Sequence, residues 1–297
     1  MQMVSPLIGK RILVTRPKHQ AGELSTRLVR SGAQVVELPM IEIRPPLSWQ
    51  ALDQAIKEFS KYDWVIFASA NAVHSFVNRV QLIGPQTAAD LVRLASVQVA
   101  AIGIKTARSI ESCGMAVNFL PSQFAADQFV REFPKYPHLI GEKILWPRTN
   151  IGNDYILEKF AAAGAQIDLV SSYRTELPSN LDEISDKLSH LLDSGNLDLI
   201  TFTSGQTVRN FVKILSESQG CSNSAEHTTF DQPVQEGDDD QRLFAKMLKN
   251  VTLVSIGPET SAAMKECLLP IGLEAVPHDI GGMVSSIEAY LRKRGND

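Results

Sequence analysis

Short runs of β-branched and other apolar residues alternate along the chain with stretches in which apolar side chains recur every three or four positions. Arg11–Thr15 and Val35–Leu38 are runs of the first kind. Between them, Ala21–Ser31 carries Leu24, Leu28 and Val29 at helical spacing, and Gly32 stands where a helix ends in a left-handed glycine. The pattern predicts strand–helix–strand, the unit of a parallel sheet. It returns at Ile144–Trp146, a helix around Tyr155–Ala163, Gly164, and Ile167–Val170. A second block supplies predicted strands at Trp64–Phe67, Val97–Ile102 and Val117–Phe119, and its later copy supplies Leu199–Phe202, Val251–Ile256 and Glu274–Val276. Such nearly continuous apolar runs fit strands covered by helices on both faces.

The blocks come in the order A–B–A–B, which predicts two similar domains facing one another across a cleft. One A block and one B block together complete a five-stranded, doubly wound sheet. Pairing neighbouring blocks would give beads on a string; pairing the outer two and the inner two would give a discontinuous domain enclosing a continuous one. Met40–Pro46 and Ser171–Leu177 favour the nested arrangement. Both follow an A block, and Met40-Ile-Glu-Ile-Arg-Pro-Pro has the alternation and prolines of an exposed ribbon. The predicted fold is therefore α/β: two similar doubly wound parallel-sheet domains joined by a two-stranded β ribbon, one domain discontinuous. Residues 1–39 plus 178–297 form the first domain, 50–168 the second, and 40–49 with 169–177 the linker ribbon.

Composition narrows the function. The 297 residues are 44% hydrophobic and 21% charged, ordinary for a soluble chain long enough for two domains. A formal charge of −4 argues against a nucleic-acid partner while leaving room for a locally basic cleft. Cys113, Cys221 and Cys267 are widely spaced, which fits a reducing compartment and excludes a disulfide framework or a cysteine zinc site. No apolar run approaches the roughly 20 residues of a membrane span. The first residues resemble neither a secretory signal nor a transit peptide, so the expectation is a cytoplasmic protein. A plastid stromal protein from a plant or alga, trimmed of its transit peptide, would read the same way. Ser216–Gln241 is a polar, acidic insertion, expected to be solvated.

Candidate chemistry sits in four turns. Ser69-Ala70-Asn71 matches Ser204-Gly205-Gln206, and Gly103-Ile-Lys-Thr106 matches Gly257-Pro258-Glu-Thr260. Each follows a strand and opens a helix, where unpaired amides and the positive end of the helix dipole attract anions. Each Ser or Thr also has a plain reading as a helix cap. Arg16 and Arg148 recur at the other strand ends, with Lys18, Arg44, Lys105 and Arg174 nearby in sequence. Glycine-rich dinucleotide and phosphate loops, zinc-protease and nucleophile-elbow motifs are missing, and the six histidines lack metal-ligand spacing. A catalyst on this frame would work by positioning charge and donating hydrogen bonds.

Val14-Thr-Arg-Pro17, Phe67-Ala-Ser-Ala-Asn-Ala-Val73, Ala101-Ile-Gly103 with Thr106, Ser172-Tyr-Arg-Thr175, Phe202-Thr-Ser204 and Ser255-Ile-Gly-Pro-Glu-Thr260 together resemble the uroporphyrinogen-III synthase family. The resemblance covers the chain apart from the acidic insertion. It implies cyclisation of hydroxymethylbilane to uroporphyrinogen III, with loss of water and inversion of ring D, in the synthesis of haem, chlorophyll, sirohaem and cobalamin. It implies no cofactor and no metal, a monomer, a transient contact with hydroxymethylbilane synthase, and no membrane partner. The family's tyrosine falls on Tyr173, a proton-donor candidate that could equally pack on the ribbon. Ser69, Thr106, Ser204 and Thr260 match positions that line the family's cleft. One departure is Ala68 where the second copy has Thr203, which removes a hydroxyl beside Ser69. A two-lobed small-anion-binding protein without catalysis is the main alternative; a twin-domain nucleotide-sugar transferase lacks its diphosphate loop.

Overall fold

A computed structural model describes residues 5–84, 87–150, 154–218 and 246–294. Residues 219–241 of the expected acidic insertion, with Cys221 and His227, lie outside the described residues. The chain divides into two compact units, Met1–Glu42 with Glu176–Asp297 and Ile43–Thr175.

Unit 1 is built on β1 (Arg11–Val14), β2 (Gln34–Glu37), β8 (Leu199–Phe202), β9 (Thr252–Ser255) and β10 (Leu273–Glu274), in the order β10-β9-β8-β1-β2. Neighbours run parallel, with Ile12 opposite Val35 on one side and Leu199 on the other. Side chains alternate across such a sheet, so each strand feeds two cores. Leu13, Ile200, Phe202 and Leu253 meet α8 (Leu181–Asp193), α9 (Gly205–Ser218) and α10 (Pro258–Glu266). Ile12, Val14, Leu199 and Val254 meet α1 (Lys18–Arg30) and α11 (Ile280–Arg294) on the opposite face.

Unit 2 repeats this plan. β4 (Trp64–Phe67), β5 (Gln98–Ala101), β6 (Lys143–Thr149) and β7 (Gln166–Glu176) join β3 (Glu42–Arg44) in the order β3-β7-β6-β4-β5. Val65, Phe67, Val99, Ala101 and Leu145 pack under α2 (Gln50–Lys57), α3 (Ala70–Ile83), α4 (Ala88–Ala95) and α5 (Ile104–Ser112). Trp64, Ile66, Ile144 and Trp146 pack under α6 (Ala126–Glu132) and α7 (Tyr155–Ala162).

Two details differ from the sequence-based prediction. Val117–Phe119 forms no strand; it contributes a single bridge, Phe119 to Ala100, beside β5. The fifth strand of this sheet is instead β3, which neighbours β7. The segment expected as linker, 169–177, is largely the second half of β7, an unbroken strand of 11 residues. The two crossing segments thus lie side by side as strands of the unit 2 sheet.

The duplication extends further upstream than the two blocks. Leu7-Ile8-Gly9 precedes β1 and Leu139-Ile140-Gly141 precedes β6, with both leucines fully buried. Gly32 and Gly164 end the equivalent helices at φ +94° and +93°, and a Cβ on either would stand 2.7 Å from Cγ1 of Ile8 or Ile140. At Gly164 it would also meet Ile140 Cα at 3.1 Å, against 3.4 Å for Ile8 Cα at Gly32. Backbone yields less readily than a side-chain end. Gly164→Ala is therefore expected to cost about 2–3 kcal/mol and Gly32→Ala about 1–2 kcal/mol. Denaturant midpoints of the two variants check the order.

Candidate active site at the strand tips

In unit 1, β1 leads through α1 to β2 on one side while β8 leads to β9 on the other, so the chain changes direction between β1 and β8. Unit 2 has its equivalent switch between β6 and β4. In open α/β sheets ligands bind outside the carboxyl ends of strands at such points. Arg16 and Ser204 follow the pair in unit 1; Arg148 and Ser69 mark it in unit 2.

Ser69 sits in extended backbone before α3, and its Oγ accepts the Ala72 amide at 3.2 Å. The same oxygen lies 3.0 Å from Tyr173 Oη, 104 positions away in the chain. A register shift between Arg148 and Thr149 places Thr149 opposite Tyr173 and skips Ser172. Irregularities of this kind re-aim side chains at strand ends. Ser75 of α3 donates to the Ser172 carbonyl, and Ser172 Oγ donates to the Arg148 carbonyl at 3.2 Å. The Asn150 side chain accepts the Thr175 amide at 3.0 Å. These polar ties hold the end of β7 to its neighbours, and the strand pattern alone did not signal them.

Tyr173 is 8% exposed. Burial pushes its phenol above the ordinary range, and hydrogen bonds with Ser69 and Asn71 and the positive charge of Arg148 offset this only in part. The phenol is therefore neutral throughout the physiological range. Since Ser69 Oγ already accepts from Ala72, its own hydrogen is available to Tyr173 Oη, which would leave the phenolic hydrogen to be donated elsewhere.

Ser204 behaves like Ser69: its Oγ accepts the Thr207 amide at 3.3 Å, and Thr207 donates back to the Ser204 carbonyl at 2.6 Å. Both serines are helix caps, so the amides of Ala70 and Asn71, and of Gly205 and Gln206, are what these turns offer a ligand. A Cβ on Gly205 would come within 3.0 Å of Ala263, so glycine lets α9 approach α10 closely.

The other two turns are different. Gly103 and Gly257 precede α5 and α10 with no side-chain cap, and the first intrahelical acceptors are their own carbonyls, taken by Ala107 and Ser261. The amides of Ile104 and Thr106, and of Glu259 and Thr260, therefore lack i−4 partners and are the best anion sites of the set. Pro258 has no amide to contribute. Thr106 and Thr260 are buried, at 4% and 3% exposure.

The two arginines also differ. Arg148 donates to Asp154 at 2.7 Å and lies over the Trp146 ring at 5.5 Å, so its charge is already met. Arg16 reaches Gln20 with a long 3.4 Å contact, and its buried Nε has no hydrogen-bond partner among the described residues. Burial lowers its pKa, partly offset by Glu23. A buried guanidinium nitrogen left unpaired is a ready partner for an anion. Among the described residues no group of three or more His, Cys, Asp or Glu is placed to hold a metal. Nor is any described helix long and apolar enough to cross a membrane.

A family model described as uroporphyrinogen-III synthase HemD matches residues 22–285. The uroporphyrinogen-III synthase of Synechococcus elongatus is 33% identical over 289 residues, covering 97% of this chain and 98% of that protein. That of Chlorobaculum parvum is 29% identical over 210 residues, covering 71% of this chain and 81% of that protein. Among solved structures, a mutant uroporphyrinogen III synthase from Thermus thermophilus superposes with a TM-score of 0.63 at 16% identity, covering 96% of this chain and 99% of that one. The Helicobacter pylori enzyme gives 0.56 at 14% identity, covering 94% and 99%. At these identities the structures speak for the fold alone, a two-unit α/β architecture with parallel sheets. The family match over most of the chain and the near-full-length relative settle its membership: the chain belongs to the uroporphyrinogen-III synthase family.

Proposed function

We propose that the chain carries out the reaction for which its family is named, closing hydroxymethylbilane to uroporphyrinogen III at the strand tips described above. Tyr173 protonates the terminal hydroxyl, which leaves as water and makes a cationic azafulvene. The substituted carbon of the last pyrrole attacks this centre to give a spiro intermediate. Fragmentation and reclosure invert ring D, and loss of a ring-carbon proton replaces the one Tyr173 gave. The uncapped amides of Ile104, Thr106, Glu259 and Thr260, and the Arg16 guanidinium, are donors suited to carboxylates such as the substrate carries. Ser69 holds the phenol, and Ser204, Gly205, Ala70 and Asn71 supply further donors.

The observation that carries the reading is the Tyr173–Ser69 contact of 3.0 Å beside the β4/β6 switch, with the phenol kept neutral by burial. A neutral phenol can donate a proton where a carboxylate could not at pH 7. We further propose that the chain acts as a cytoplasmic monomer that receives its unstable substrate through transient contact with hydroxymethylbilane synthase.

The test is to supply hydroxymethylbilane, oxidise the products and separate the isomers. The type III isomer is expected in large excess. Type I isomer at the spontaneous rate would leave the chain as an anion-binding protein without catalysis.

A further inference from the structure

The first turn of α10 is held by a chain of hydrogen bonds that its counterpart in unit 2 lacks. Ser255, fully buried at the end of β9, and Ser261, 5% exposed in α10, have hydroxyls 2.6 Å apart. Ser261 in turn donates to Glu274 Oε2 on β10. A carboxylate accepts and cannot donate, so the Ser261 hydrogen is committed to Glu274 and its lone pairs are left to accept from Ser255. The loop beyond β10 presses on the other end of the same turn: a Cβ on Gly257 would lie 3.1 Å from His278 Cβ and Cγ. His278 is itself fixed by a 2.8 Å contact between Nδ1 and the Ala275 carbonyl.

The equivalent positions in unit 2 are Ala101, Ala107 and Asn118. Two alanines have no hydroxyl to relay, and both are packed in an apolar core. The Asn118 side chain turns back to its own sheet, accepting the Val99 amide at 2.8 Å. Gly103 faces open space, with nothing within 4 Å of a Cβ built there.

We infer that Glu274 is a positioning residue: through Ser261 it fixes the uncapped turn Gly257–Thr260, so that the amides of Glu259 and Thr260 are preorganised to receive a substrate carboxylate. The Gly103–Thr106 turn, without such a buttress, is left to adjust. This inference rests on the proposed synthase reading. Preorganised donors of this kind cost no reorganisation on binding, whereas a turn that must be ordered gives up part of the binding energy.

Steady-state kinetics with hydroxymethylbilane on Glu274→Gln, Glu274→Ala, Ser261→Ala and the double alanine variant tests it. Glu274→Gln, which still offers an acceptor oxygen, is expected to keep a near-parental KM. Glu274→Ala and Ser261→Ala are expected to raise KM about three- to tenfold, the range for losing one ordinary hydrogen bond's worth of positioning, with kcat within about twofold. Because both act through one relay, the double variant should be no worse than the poorer single one. A packing role alone would lower the active fraction, so that kcat falls at constant KM; that result, or additive effects in the double variant, overturns the inference. Should Glu274→Ala fail to fold, Ser261→Ala decides, and an unchanged KM there is equally fatal. A parental protein without synthase activity would instead sink the reading of function.

Discussion

Tyr173→Phe is expected to lower kcat about tenfold with little change in KM. This is less than the roughly hundredfold typical of a positioned general acid, because the hydroxyl of the linear substrate also departs unaided. The ring stays in place and only the hydroxyl is lost, so the variant should fold. The lost contact with Ser69 should cost about 0.5–1.5 kcal/mol in a denaturant titration. Burial raises the Tyr173 pKa, so the acid form persists through neutral pH. Any activity that depends on it is present below that pKa and is lost as pH rises through it, above about 10. Below about pH 9 the variant should therefore lower the rate profile without changing its shape. A folded variant with parental kcat would show that another group supplies the proton. The same linkage has a stability consequence. Tyr62, paired with Asp168 at 2.5 Å, is also raised, chiefly by burial. Both phenols stabilise the fold below about pH 10, and this contribution is withdrawn as pH climbs past that point.

Gly282→Ala is expected to cost about 3 kcal/mol or more, a large part of the 5–15 kcal/mol that stabilises an ordinary domain. A Cβ on Gly282 would fall 1.9 Å from the Pro277 carbonyl oxygen and 2.6 Å from its nitrogen. These are backbone atoms with no rotamer to yield. The Gly282 amide also donates to Asp279 Oδ1 at 2.7 Å, fastening the start of α11. Relieving the clash means shifting a helix that buries Ile280, Met283, Val284 and Ile287 in the unit 1 core. Gly281→Ala is the control: its Cβ would meet only side-chain atoms, Asp279 Oδ1 at 3.3 Å and an Arg27 guanidinium nitrogen at 3.8 Å. That variant should stay within about 1 kcal/mol of the parent. Equal denaturant midpoints for the two would mean that α11 does not dock as described.

The duplicated strands were legible because a strand covered on both faces must be apolar along its length, as Trp64–Phe67 and Leu199–Phe202 are. The helix ends were legible because Gly32 and Gly164 occupy a backbone region that other residues resist. Val117–Phe119 misled, since its apolar pattern matches a strand while its geometry sustains only one bridge. The length of β7 was hidden by polar residues, Ser171 and Ser172, which sit inside the strand; the buried Ser172 is satisfied by Arg148 and Ser75, neighbours invisible in sequence. In the site, the capping serines and uncapped glycines could be read from the strand–turn–helix pattern. The pairing of Ser69 with Tyr173 could not, because 104 positions separate them and a register shift brings them together. The Ser255–Ser261–Glu274 relay was equally out of reach: each member is an ordinary polar residue until β9, α10 and β10 are assembled. Comparing the residues upstream of each A block would have exposed the Leu-Ile-Gly repeat.

The central claim is that the amides at these strand tips bind tetrapyrrole carboxylates. Amide hydrogen exchange, followed with and without saturating uroporphyrinogen III, addresses it directly. Protection is expected at 69–72 and 103–106 in unit 2 and at 204–207 and 259–261 in unit 1, with the amino ends of the strands unchanged. Protection at none of the four turns, or found only away from them, would contradict it.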